Sequence, residues 1–152
     1  MISLRQVHFV EDHWNAIARR ALARIRHEVP HSEAIPDRTI MDRVEDLFKH
    51  LGDWLTAPDP KQFAEFEEFG RVRAHGSTSL HTLVRLLQVI RQSAMDYVRE
   101  NELRDDSITL RAENELEYKM DSFFDLVIYH AVKGYEQGLD AEKPLVAMAH
   151  TN

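Results

Sequence analysis

Apolar residues recur along this chain at alternating steps of three and four. No stretch alternates apolar and polar residues for long enough to make a half-buried strand. Val7, Val10, Trp14, Ile17, Ala21 and Ile25 form the first stripe, and Arg19, Arg20, Arg24 and Arg26 lie largely off it. The spacing predicts an amphipathic helix over about residues 3–28, opened by Ser3 with Gln6 in a capping box. Pro30 and Pro36 bracket the loop that follows. A second stripe, Ile40, Val44, Leu47, Leu51 and Trp54, is broadened by Met41, Phe48 and Leu55. It predicts a helix over about residues 37–56 with Asp37 as N-cap and Gly52 as a point of close packing.

Ala57-Pro58-Asp59-Pro60 is a stop and restart, with Asp59 suited to an N-cap and Pro60 to the first helical position. Phe63, Phe66, Phe69 and Val72 then face away from Glu65, Glu67 and Glu68, giving a third helix over about residues 60–75. Gly76 is placed to end it as a left-handed cap. Ser77, Thr78 and Ser79 offer caps for a fourth helix over about residues 78–101, whose buried face is Leu80, Leu83, Val84, Leu87, Ile90, Ala94 and Tyr97. Asp105, Asp106 and Ser107 mark a boundary before a last helix over about residues 107–137. This helix carries Leu116, Met120, Phe123, Val127, His130 and Ala131 on one side. Gly134 and Gly138 read as fraying or termination, and Pro144 lies in the tail beyond. The expected architecture is therefore all-α, about five helices in one domain over residues 1–140, with a flexible tail over 141–152.

Composition narrows the function more than the fold. The 152 residues suffice for one hydrophobic core, with 43% hydrophobic and 30% charged residues. A formal net charge of −7 disfavours nucleic acid and anionic membrane surfaces as partners. Cysteine is absent, which removes disulfides, thiolate metal sites and a cysteine nucleophile. No apolar run is long enough to cross a bilayer and the N-terminus lacks a signal-peptide core, so a cytoplasmic location is expected.

Nine histidines raise the question of a metal. His27 and His31 have the four-residue spacing of a helical zinc pair, but Pro30 falls between them. His8 and His13 are five apart and point to different faces. The sole Glu-x-x-His match, Glu28 to His31, contains the same proline. His130 differs because it lies within an apolar stripe. It suits either a haem or small-ligand site or a core-edge histidine bonded to a carbonyl or carboxylate. Serines and threonines cluster at helix starts, where capping explains them, and no nucleophile elbow or phosphate-binding glycine loop is present. Glu65 with Glu68 and Glu113 with Glu117 have the spacing of solvated helix faces. No enzyme is expected.

The final helix has apolar residues at adjacent positions, Phe123-Phe124 and Val127-Ile128, which widens its stripe. Leaving a second Phe-sized face in water costs about 1.5–3 kcal/mol per side chain. A homodimer through the first and last helices is expected, using Phe124 and Ile128 with Val10 and Ile17.

The most distinctive stretch is Phe69-Gly70-Arg71-Val72-Arg73-Ala74-His75-Gly76, followed by Ser79-Leu80, Leu83-Val84 and Arg91. It resembles the N-terminal domain of RsbR-type stressosome proteins and related input domains of bacterial sensor kinases. There an arginine-bearing helix (here with Arg71 and His75) ends at a glycine (Gly76), and a polar-Leu start (Leu80) leads into a long helix bearing an arginine (Arg91). Met120, Phe123, Phe124, Val127 and Tyr135 look like that family's closing helix, which often contributes to dimerisation. The resemblance implies a globin-like, usually haem-free, dimeric sensory domain that passes a signal to a STAS or kinase module. No such module follows residue 140, which implies a stand-alone member or part of a longer chain. Three other readings compete: a haem or ligand sensor using His130 or His81, a small metal-dependent helical enzyme, and a structural adaptor that recognises another protein's helix.

Overall fold

The computed structural model describes the backbone of residues 4–101 and 107–151, and the side chains of residues 4–101 and 108–141. All regular structure among them is helical, as the periodicity predicts. The order is α1 (Leu4–Asp12), α2 (Trp14–Glu28), a 3-10 turn (Ser32–Ala34), α3 (Asp37–Phe48), α4 (Leu51–Thr56), α5 (Pro60–His75), α6 (Leu80–Asn101) and α7 (Ser107–Thr151). Ser3, Asp105 and Asp106, read from the sequence as cap and boundary residues, lie outside the described residues.

The expected first helix is two helices, because His13 breaks it at φ −110° and ψ 18°. Its ring Nδ1 lies 2.8 Å from the Phe9 carbonyl oxygen, which the ring shares with the His13 backbone N–H at 3.1 Å. A side chain that competes for a helical carbonyl loosens the turn. The second helix also divides, at Lys49-His50, where tertiary partners take up the freed groups. The Trp54 indole donates to the Asp46 carbonyl at 3.1 Å, and the Gly52 N–H donates to Glu11 at 2.9 Å. Pro36, not Asp37, holds the N-cap position of α3. Asp59 caps α5 as expected, accepting from the Lys61 N–H at 2.9 Å, with Pro60 following. Gly76 ends that helix in an extended conformation, φ −97°, so it is not the expected left-handed cap. The last helix does not stop near residue 137; it runs through Gly134 and Gly138 to Thr151.

The core forms where α6 passes between neighbours on several sides. Leu83, Leu86, Leu87, Val89 and Ile90 are all buried, more than one helical stripe can account for. α2 packs on α3 and α6, while α7 lies along α5 and also touches α1, α4 and α6. Trp54 sits amid Phe63, Phe66 and Phe123, with ring centroids 5.2, 5.4 and 5.0 Å away. Contacts of this kind add about 0.5–1.5 kcal/mol beyond simple burial.

The arginines of α2 are more than a solvated face. Arg26 donates to the Ser32 carbonyl, to the Ile35 carbonyl at 2.6 Å and to Asp37 at 2.6 Å, closing the loop over residues 29–36. Arg24 reaches Asp96 at 3.0 Å and Arg20 reaches Glu100 at 2.5 Å, tying α2 to α6. The Arg20 guanidinium holds the Glu100 carboxyl below its ordinary value of 4.5. A depressed carboxylate contributes stability above its unfolded pKa and loses it as pH falls through the folded one. Stability of the parent chain relative to Arg20→Gln is therefore expected to be pH-independent above about pH 6 and to decline steadily below pH ~4.5. Urea unfolding at stepped pH checks this, and a gap that widens on acidification would refute the sign.

Candidate functional site

The most extensive helix contact among the described residues is the seam between α5 and α7, and glycines make it possible. A Cβ on Gly70 would stand 1.9 Å from the Ala131 carbonyl oxygen, and one on Gly134 would stand 1.8 Å from that of Glu67. Gly138 is similarly tight, its Cβ falling 2.8 Å from that of Ala74. Gly134 and Gly138, four apart on one face of α7, therefore mark a packing groove. They are not a helix end. Gly52, expected to be a close contact, is not one, since its Cβ would find ordinary spacing at 3.4 and 3.5 Å.

This seam positions His130. Its Nδ1 lies 2.6 Å from the Glu67 Oε2 across the two helices, and its ring stacks on Phe63 at 4.8 Å. Lys133 approaches the same carboxylate at 3.8 Å. The His130 side chain is 22% exposed. A histidine held by a carboxylate and a ring is the core-edge arrangement weighed from the sequence. The helices on either side are in backbone contact there. Further along, the Tyr135 hydroxyl donates to the Thr78 carbonyl at 2.8 Å, latching α7 onto the turn between α5 and α6.

The distinctive sequence stretch is not gathered into one site. Arg71 pairs with Glu68 and donates to Gln137 at 3.0 Å, so it crosses the α5–α7 seam. His75 and Gly76 close α5, and Leu80 opens α6. His81 is exposed on the first turn of α6, with Nε2 3.2 Å from the Ser79 hydroxyl. Arg91 lies elsewhere, 3.5 Å from Asp121 of α7. Arg71 and Arg91 each join α7 to another helix, and these residues do not gather at one point.

Three of the four expected dimer residues are also corrected. Val10, Ile17 and Phe124 are fully buried inside this one chain, and Ile128 is partly buried against the same core. The wide stripe of α7 is consumed by its own neighbours: Phe123 meets Trp54 and Phe124 meets Phe48. What α7 does leave open is its opposite face. Tyr118, Leu126 and Tyr129 are 70%, 46% and 60% exposed. The sequence reading missed them because it followed the buried stripe, although the spacing of 118, 126 and 129 is itself helical.

Among the described residues, no group of three or more His, Asp or Glu side chains is placed to hold a metal ion. No helix among them is long and apolar enough to cross a membrane. Comparison with curated proteins and with solved structures returns no match. The family model described as RsbT co-antagonist protein rsbRD N-terminal domain matches residues 15–142, the stretch that contains the seam, His130 and the outer face of α7. The chain belongs to this family, one of signalling input domains and not of enzymes.

Proposed function

We propose that this chain is a haem-free, globin-like sensory input domain of stressosome type that works in the cytoplasm as a homodimer, with α7 as the dimer helix. Its output is a contact with a regulatory STAS or kinase module. The observation that carries the reading is the outer face of α7, where Tyr118, Leu126 and Tyr129 are exposed on one side of a long helix. Exposed aromatic and aliphatic side chains grouped on one surface mark association sites.

One pair of charges on that face, Arg111 and Glu136, is self-complementary. Arg111, Tyr118, Tyr129 and Glu136 share one narrow arc of the helix, at about 100° per residue. Two copies set antiparallel about a two-fold axis near position 124 would bring Tyr118 of one against Tyr129 of the other, and Arg111 against Glu136. An isologous interface requires this kind of self-matching. The haem-free part rests on the engagement of His130 with Glu67 and Phe63 and on the closed seam around it.

Sedimentation equilibrium at micromolar concentration tests the dimer. The expected mass is twice the chain's 17.8 kDa, falling to the monomer in Tyr118→Glu/Tyr129→Glu with little loss of thermal stability. Arg111→Glu and Glu136→Arg should each weaken the dimer, and the pair together should restore it. A monomer mass for the unaltered chain would end this reading. Titration with haemin tests the other half: a Soret band abolished by His130→Ala would replace it with the haem-sensor alternative.

A further inference from the structure

A cleft of about 470 Å³ opens between α3 and α5, away from the α5–α7 seam and from the outer face of α7. Its volume is in the range that holds small ligands. At its floor two guanidinium groups flank one ring: Arg43 lies 5.2 Å from the Phe69 centroid and Arg73 lies 5.5 Å from it. Arg43 has a carboxylate partner in Asp46. Arg73 is half-buried and has no acidic side chain against it among the described residues, and the Nε of each arginine is buried without an acceptor. Burial and the neighbouring Arg43 charge both push the Arg73 pKa down. A cation placed so is held at an energetic disadvantage that an anion in the cleft would remove.

The mouth has the opposite character. Asp42, Asp46, Glu65 and Glu68 line it. Asp42 pairs with Arg38 and Glu68 with Arg71, so their charges are largely answered. Burial raises the Asp46 pKa, and Glu65 adds to that rise. A dianion would meet this acidic rim unfavourably, whereas a carboxylate carrying its own positive group would satisfy both ends.

We infer that the α3–α5 cleft is a binding site for a small zwitterion of the amino-carboxylate class, its carboxylate on the Arg73 guanidinium, its ammonium toward Glu65 and Asp46, and its carbon skeleton against Phe69 and Val72. The site is independent of the dimer reading, because none of its residues lies on α7.

Calorimetric titration of the full chain with glycine, β-alanine, 4-aminobutyrate, acetate and inorganic phosphate tests it, with the Arg Nε–H resonances followed by NMR. At least one of the three zwitterions should bind saturably, about tenfold tighter than acetate, and should shift the Arg73 signal. Arg73→Gln should abolish binding, and Arg91→Gln, which removes an arginine paired with Asp121 away from the cleft, should leave it intact. If Arg73→Gln fails to fold, Glu65→Gln serves instead, and should erase the advantage of the zwitterion over acetate. The inference is overturned if no zwitterion saturates, if phosphate binds more tightly than all three, or if the Arg73 and Glu65 variants bind like the parent.

Discussion

Gly134→Ala is expected to destabilise the chain by about 3 kcal/mol or more, although the same change in an open helix would stabilise it by about 1 kcal/mol. The sign is decided by one distance. An added Cβ would sit 1.8 Å from the Glu67 carbonyl oxygen, a backbone atom that no rotamer change can move aside. α5 and α7 would have to separate by roughly 1–2 Å to restore van der Waals spacing. That displacement would stretch every contact along the seam, including the His130–Glu67 bond and the Tyr135–Thr78 latch. In a domain of this size the loss corresponds to a fall in Tm of roughly 6–12 °C. Gly70→Ala should act alike, and the double variant should cost less than the two losses added, since one separation relieves both clashes. Gly52→Ala is the matched control, with room for its Cβ, and should be neutral or slightly stabilising. A Gly134→Ala chain that melts at or above the parent temperature would refute the seam as described.

Phe124→Ala should cost about 3–5 kcal/mol, the range for removing a large buried aromatic. Phe124 is fully enclosed, with Phe48 at 5.9 Å and Phe123 at 5.6 Å. The loss should appear in urea unfolding at every protein concentration, because the side chain is covered by its own chain. Tyr129→Ala should behave in the opposite way. A residue 60% exposed contributes little to monomer folding, with an expected change within about 0.5 kcal/mol, while the sedimentation mass should fall. If Phe124→Ala instead left the folded monomer intact and lowered only the association constant, the placement of Phe124 in the core would be wrong.

These contrasts show where sequence reasoning stopped. Helical periodicity marks which residues leave water, but it does not say which surface covers them. The adjacent pair Phe123-Phe124 looked too wide for a single chain, yet it is shared between Trp54 on one side and Phe48 on the other. His13 looked like one more residue in a continuous helix. Its ring competes for the Phe9 carbonyl, and that competition divides α1 from α2. The arginines of α2 looked like a solvated face. Their partners, Asp96 and Glu100, lie about seventy and eighty residues away in sequence, beyond the reach of any local pattern.

The sequence by itself determined the all-helical class, the start and extent of α5, and the family through the run from Phe69 to Arg91. These follow from local physics: the three-and-four spacing of apolar residues, an Asp59 side chain two residues from the N–H that it caps, and a proline where no donor is needed. Tertiary structure decided the rest. Gly134 and Gly138 end a helix or join two helices according to whether another backbone lies against them, and here α5 does. Phe124 faces inward and Tyr129 outward for the same reason, since the direction of a side chain gains meaning only from the neighbour placed there by the fold.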